Sequence, residues 1–462
     1  MARFSRRGFL RAGLSAPFIL SAAGAESDSG RVDLSLEARQ DWVQVGGRFG
    51  YLYSFDGKIP GPVINAKSGD EVRIAFRNRL PEATNLHFHG LQIPSTGNAD
   101  NVTLRIPSGE SINYQFTIPR DHPSGTFWYH PHLHGSAARQ VSRGLAGVFV
   151  IRNDADLIPE IEMAPEATLV LQDFSIDNAG RPFEPNLMER MQGREGPLVT
   201  VSGQENPEFF VQQDGWLRLR ILNASSSRFY RLRLEEHPMY VVAVDGGFLN
   251  TPDVRDEILV TPGERVEVMV KGERPPGEYR LLSLPYNRGG IGMMGSTQQR
   301  GAFSLARVRY DGRVESPWDL PSRLATVVRL PEPSVRRVFQ LGQGMGMGMG
   351  MGMMGGGMTF TINGRVFDER RVDVRAAFGA IEQWEFLNPT GMDHPMHIHT
   401  NPFQVLDSTG TPVPAWKDTV LVRSGSRLAV RTAFREHLGL RMFHCHILDH
   451  EDLGMMGTID VA

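Results

Sequence analysis

At 462 residues the chain is long enough for two or three domains with ample cores. Its formal charge of -3, from 49 basic and 52 acidic residues mixed along the sequence, argues against a nucleic-acid or acidic-membrane partner. A single cysteine, Cys445, excludes an intramolecular disulfide and leaves that thiol free for other chemistry.

The N-terminus opens with Ser5-Arg6-Arg7-Gly8-Phe9-Leu10, followed by a modest apolar run from Ala12 to Ala23 and the small residues Ala23-Gly24-Ala25. This pattern resembles a twin-arginine export signal over residues 1–25, and it predicts a periplasmic or extracellular protein that begins near Glu26. The apolar run is short and contains Gly13 and Pro17, so it does not read as a bilayer span, and no other segment does. No stable membrane insertion is expected.

Beyond the signal, short alternating runs separated by Gly, Pro and Asn predict antiparallel β-sandwiches. Examples are Glu71-Val72-Arg73-Ile74-Ala75-Phe76, Trp216-Leu217-Arg218-Leu219-Arg220-Ile221 and Glu264-Arg265-Val266-Glu267-Val268-Met269-Val270. A self-comparison finds three copies of one pattern. In the first, a strand ends at Asn78 and His87 and His89 follow at offsets of nine and eleven; Gly125 is followed by His130 and His132 at five and seven. In the second, the same offsets from Asn223 and Gly277 fall on Leu232, Leu234, Leu282 and Leu284. In the third, Asn388 leads to His397 and His399, and Gly439 to His444 and His446. Two histidines spaced by one residue in a strand share a face, so the outer copies can close a metal cage while the leucine copy acts as a spacer. The copies divide the chain near 26–155, 156–320 and 321–462, with Pro-rich connections around Pro159 to Pro165 and Pro317 to Pro333.

Within the third copy, residues 344–358 are almost only Gly and Met: Met345, Met347, Met349, Met351, Met353, Met354 and Met358. Strand-like runs flank this tract, Arg337 to Leu341 and Thr359 to Ile362, so a hairpin extension is expected. Alternating glycine cannot build a core, whereas thioethers are soft ligands that favour Cu(I). The tract reads either as a Cu(I)-collecting flap or as a low-complexity loop, with apolar cover for a substrate site as a further use. Met293, Met294 and Met456 can add to such a cluster or simply pack.

The third copy ends in His444-Cys445-His446-Ile447-Leu448-Asp449-His450-Glu451-Asp452-Leu453-Gly454-Met455. An electron-transfer copper of the blue type takes two imidazoles, a thiolate and a weak axial thioether. Cys445, His450 and Met455 supply three of these four. In a strand Cys445 faces one side while His444 and His446 face the other, so one residue joins two metal sites. Pro131 and Leu145 stand in the first copy where Cys445 and Met455 stand in the third, which leaves one thiolate site.

These motifs, with His87-Phe88-His89-Gly90, Trp128-Tyr129-His130-Pro131-His132 and His394-Pro395-Met396-His397-Ile398-His399, closely resemble those of three-domain multicopper oxidases: laccases, bilirubin oxidases and copper-tolerance oxidases. The resemblance spans the mature chain. It implies an all-β fold of three consecutive cupredoxin-like Greek-key β-sandwich domains, with four copper ions per chain. By motif, type 1 copper would take His394, Cys445 and His450 with Met455 axial; type 2 copper would take His87 and His397. One type 3 copper would take His89, His130 and His446, and the other His132, His399 and His444. Ten of the 14 histidines are thus placed, while His122, His134, His237 and His437 read as loop or surface imidazoles. The resemblance also implies acidic proton donors. Glu451 stands at one such position, and Asp100 near the other, where the departure of Asn98-Ala99-Asp100-Asn101 from the family pattern leaves Asn98 or no residue as alternatives.

The implied activity is one-electron oxidation of phenols, aromatic amines or Cu(I), coupled to four-electron reduction of dioxygen to water. An axial Met455 implies a modest type 1 potential, which suits metal ions and electron-rich phenols. The competing readings are a non-enzymatic periplasmic relative that has lost its ligands and a copper storage or copper-tolerance protein dominated by the methionine tract. A filled ligand inventory disfavours the first, and the second predicts more than four copper ions per chain. A monomer is expected, although no sequence feature specifies oligomeric state.

Overall fold

The computed structural model describes residues 30–154, 157–290, 301–345 and 358–462. The alternating runs form strands whose burial follows the same period. In Glu71–Arg79, Val72, Ile74, Phe76 and Asn78 are buried and the intervening residues are not; Ile381–Asn388 repeats the pattern. Trp216–Asn223 departs from it, being buried throughout. Leu217, Leu219 and Ile221 enter the core of their own unit, while Leu222 packs with Trp128, Ala146 and Val148 of the first. The middle unit is therefore covered on its outer face, and the alternating arginines Arg218 and Arg220 are buried with it.

Six sheets pair into three two-sheet units, over residues 31–152, 166–313 and 335–461. Each encloses one apolar core drawn from both of its sheets. The sheets are mixed rather than purely antiparallel. In every unit the first strand pairs in parallel with the strand that ends at the repeated asparagine: Arg31–Val45 with Glu71–Arg79, Glu166–Phe174 with Trp216–Asn223, and Val335–Met345 with Ile381–Asn388. A second parallel pair closes the opposite sheet of each unit.

The repeated asparagine has one structural job in all three copies. Asn78 donates from Nδ2 to the carbonyls of Glu82 and Ile106 and accepts the Leu80 N–H. Asn223 does the same with Arg228, Val260 and Ser225, and Asn388 with Met392, Val422 and Thr390. A short amide here satisfies three buried backbone groups at the point where the chain leaves one sheet for the other.

Downstream of this turn the outer copies pair His87 with His130 and His397 with His444. The middle copy pairs Leu232 with Ser283, one residue away from the expected Leu282. The slip accompanies a register irregularity between Leu281 and Leu282, and it turns Leu281 and Ser283 inward in place of Leu282 and Leu284.

The expected hairpin at the methionine tract is present at its base, where Val335–Met345 pairs antiparallel with Met358–Ile362 and Met345 lies opposite Met358. Met347, Met349, Met351, Met353, Met354, Met293, Met294 and the expected export signal over residues 1–25 lie outside the described residues. Among the described residues no helix is long and apolar enough to cross a membrane.

Candidate metal centre

The strand His87–His89, at the edge of its sheet, meets the strand His394–Ile398 and the adjoining His399 where the first and third units face each other. Their histidines stack in crossed order: His87 on His399 with ring centroids 3.9 Å apart, and His89 on His397 at 3.7 Å. His130, His132, His444 and His446 close the remaining sides, so eight fully enclosed imidazoles face one chamber. Three donor groups have ligand atoms within 4.8 Å of one another: His87, His89 and His397; His89, His130 and His446; His132, His399 and His444. In the last, the three Nε2 atoms lie 3.0, 3.1 and 3.2 Å apart.

Three nitrogens converging so closely cannot all be satisfied by sharing protons. Elsewhere in the chamber His87 Nε2, His89 Nδ1, His130 Nε2, His397 Nε2 and both ring nitrogens of His446 are buried without a hydrogen-bond partner. Such orphaned lone pairs are costly unless a cation takes them. Burial holds His132 down to about 3 and His87, His89, His130, His399, His444 and His446 well below the ordinary imidazole value. These rings are neutral, the form that ligates metal. Copper fits this donor set.

Four of the outward nitrogens are tied down, which fixes those rings. His87 Nδ1 donates to Asp100 Oδ1 at 2.8 Å. His130, His397 and His444 donate from Nδ1 to the carbonyls of Pro131, Asp418 and Cys445 at 2.9, 2.8 and 3.0 Å. Asp100 is buried and also accepts the Phe88 N–H. Asn98 is exposed, so of the two candidates only Asp100 reaches the chamber wall.

The second group sits in the core of the third unit. Cys445 Sγ is 3.5 Å from His394 Nδ1 and 3.8 Å from His450 Nδ1, and the two nitrogens are 3.3 Å apart. Met455 is fully buried in the same core, and its carbonyl accepts the Cys445 N–H at 3.0 Å. Burial pushes the Cys445 thiol up and His394 down to about 3, the balance a bound cation reverses by taking the thiolate. His394 Nε2 pairs with Thr390 Oγ1 at 2.9 Å, and His450 Nε2 donates to the Met191 carbonyl at 3.0 Å. Phe360 stacks on the His450 ring with centroids 3.8 Å apart.

Glu451 is wholly buried, 3.3 Å from His444 Nδ1 and 3.7 Å from His132 Nδ1, with neither carboxylate oxygen hydrogen-bonded. Burial, then the charge of Asp452, pushes its carboxyl well above the ordinary value. Among the described residues His122, His134, His237 and His437 join none of the donor groups. His134 is exposed and His437 half-buried, but His122 and His237 are buried with both ring nitrogens hydrogen-bonded.

Several residues at the site carry no sequence motif. Met191 and Phe360 cover His450. Asp418 lies 3.0 Å from His89 Nε2 and is gripped by Arg265 of the middle unit. The repeat register is the one signal that could have marked this unit as more than a spacer, since Arg265 lies in one of its alternating runs.

Family models for multicopper oxidases match residues 38–156, 166–304 and 332–462. The chain belongs to the multicopper oxidases, with three cupredoxin-like units. A multicopper oxidase from Staphylococcus haemolyticus is 29% identical over 90% of this chain and 85% of that protein. The cell division protein FtsP of Xenorhabdus nematophila is 28% identical over 89% of this chain and 85% of its own length. Among solved structures, a multicopper oxidase from Campylobacter jejuni described as a metallo-oxidase superposes with a TM-score of 0.83 at 31% identity, covering 95% of this chain and 93% of that one.

Proposed function

We propose that the protein is an exported oxidase that removes single electrons from Cu(I), phenols or aromatic amines and delivers four of them, with four protons, to dioxygen to form two waters. The observation that carries this reading is the complete donor set: ten buried imidazoles and one thiol, with unpartnered nitrogens turned inward. His394, Cys445 and His450, with Met455 buried beside them, would hold type 1 copper. His87 and His397 would hold type 2 copper, while His89, His130 and His446, and His132, His399 and His444, would hold the type 3 pair. Copper at these positions supplies one-electron exchange at the thiolate and multi-electron chemistry at the chamber.

The chain's own residues provide path, access and protons. Cys445 is bonded on either side to His444 and His446, which gives the shortest covalent link between the two sites. Glu451 holds a proton at its carboxyl beside His132 and His444, ready for the chamber. Asp100 is better suited to orienting His87 than to moving protons, because both its oxygens lie close to the His87 Nδ1–H. The strand Met358–Ile362 leads directly from the methionine tract to Phe360 on His450. This connection supports delivery of Cu(I) to the thiolate site, as does the metallo-oxidase description of the Campylobacter jejuni protein.

The FtsP relatives favour a second reading, a periplasmic protein of this fold whose work is structural. The filled donor set weighs against it. Copper-loaded protein should bind four ions, show an intense thiolate-to-Cu(II) absorption that Cys445→Ser removes, and consume oxygen with Cu(I) or a phenol. Colourless protein without oxygen uptake would leave the structural reading; copper well beyond four ions with little uptake would indicate storage.

A further inference from the structure

His89 is held the opposite way round from its neighbours. His87, His130, His397 and His444 anchor Nδ1 on an oxygen and turn Nε2 inward. His89 anchors Nε2 on Asp418 Oδ1 at 3.0 Å and leaves Nδ1 buried and unpartnered. Asp418 is in turn fixed by Arg265, whose Nη1 and Nη2 reach Oδ1 and Oδ2 at 2.7 and 2.5 Å. The remaining Arg265 donors go to the carbonyls of Thr126, Gly263 and Asp245. All five guanidinium hydrogens are thus used, which a lysine could not reproduce. Two glycines clear the space. A side chain at Gly90 would collide with Arg265 Nη2 and Asp418 Oδ2, and one at Gly263 would come within 2.8 Å of the His446 ring.

We propose that the Arg265–Asp418 ion pair is a positioning unit by which the copper-free middle unit locks His89 with Nδ1 facing the chamber. The inference rests on the proposed copper chamber, but its first readout needs no copper. The Asp418 carboxylate joins His89 of the first unit to Arg265 of the second, and its main-chain carbonyl holds His397 of its own unit, so one residue registers all three.

The test compares Asp418→Ala and Asp418→Asn with the double variant Asp418→Ala/Arg265→Met, which avoids leaving a buried unpaired cation. Glu267→Gln, which disturbs a different buried ion pair, within the middle unit and hydrogen-bonded to Thr126 of the first, serves as the structural control. In copper-free, 15N-histidine-labelled protein, a slowly exchanging proton on His89 Nε2 should be present in the unaltered chain and the control. It should be lost in Asp418→Ala and the double variant, and retained in Asp418→Asn, which keeps the acceptor. After copper loading, the Ala variants should keep the thiolate absorption while chamber copper is released to a chelator about tenfold more readily or faster; the coupled copper pair should then give an uncoupled paramagnetic signal. Ala variants that melt earlier, as the control does, yet keep the His89 proton and normal chamber copper would overturn the proposal. Absence of copper binding in the unaltered chain would instead defeat the functional reading, leaving the proton measurement to decide the positioning role.

Discussion

The proposed ligand residues stand at positions where chemistry and periodicity coincide, and for that reason they are legible in the sequence. A histidine two residues from another, nine residues past a buried asparagine, has a fixed face in a strand, so its partners can be inferred before any coordinates exist. Asp418, Arg265, Met191 and Phe360 give no such signal, because each reaches the site from a strand, turn or, for Met191, short helix whose local pattern marks no ligand. Glu451 is a middle case, adjacent in sequence to His450 but explained only by the enclosed, unbonded carboxyl beside two chamber imidazoles. If that carboxyl is the proton donor, Glu451→Gln should cut oxygen consumption on the order of 100-fold while leaving the thiolate absorption intact. Unchanged turnover in stopped-flow oxygen assays would remove Glu451 from the proton path.

At the level of elements, the repeat predicts where strands end but not how they pair. The three asparagines mark equivalent corners, and the parallel neighbour of each strand becomes visible only when the first strand of each copy is placed beside it. The slip at Leu232 and Ser283 was hidden for a related reason: without ligands to hold, the middle copy is free to use either face. Asn223 can therefore be tested apart from metal chemistry. Asn223→Ala strands two buried carbonyls and one N–H and should cost about 3 kcal/mol, measured by denaturant unfolding, with copper content per folded chain unchanged. Deletion of residues 344–357 tests the methionine tract. A collecting role predicts loss of Cu(I) oxidation with phenol oxidation kept or raised, and equal loss of both would point to damage at the Phe360 strand.

Buried charges line the face of the middle unit that packs against the first. Arg218 and Arg220 grip Glu267, which also accepts from Thr126 of the first unit at 2.8 Å. Burial works to raise the Glu267 carboxyl, but the two guanidinium groups outweigh it and hold it down to about 2, against an ordinary 4.5. A depressed carboxyl stabilises the fold fully above pH 4.5 and progressively less as pH falls toward 2, by on the order of 3 kcal/mol in total. The stability gap between Glu267→Gln and the unaltered protein should therefore narrow over that range in pH-dependent unfolding. A gap that widened in acid would refute this account of the ion pair.

Every donor group at the two sites includes at least one residue from His394 onward. Chains fold from the N-terminus as they are made, so a nascent polypeptide halted before residue 394 holds His87, His89, His130 and His132 but completes none of these donor groups. Either proposed site therefore waits for the third unit, and tight metal retention would report that residues 394–450 have folded against the first unit.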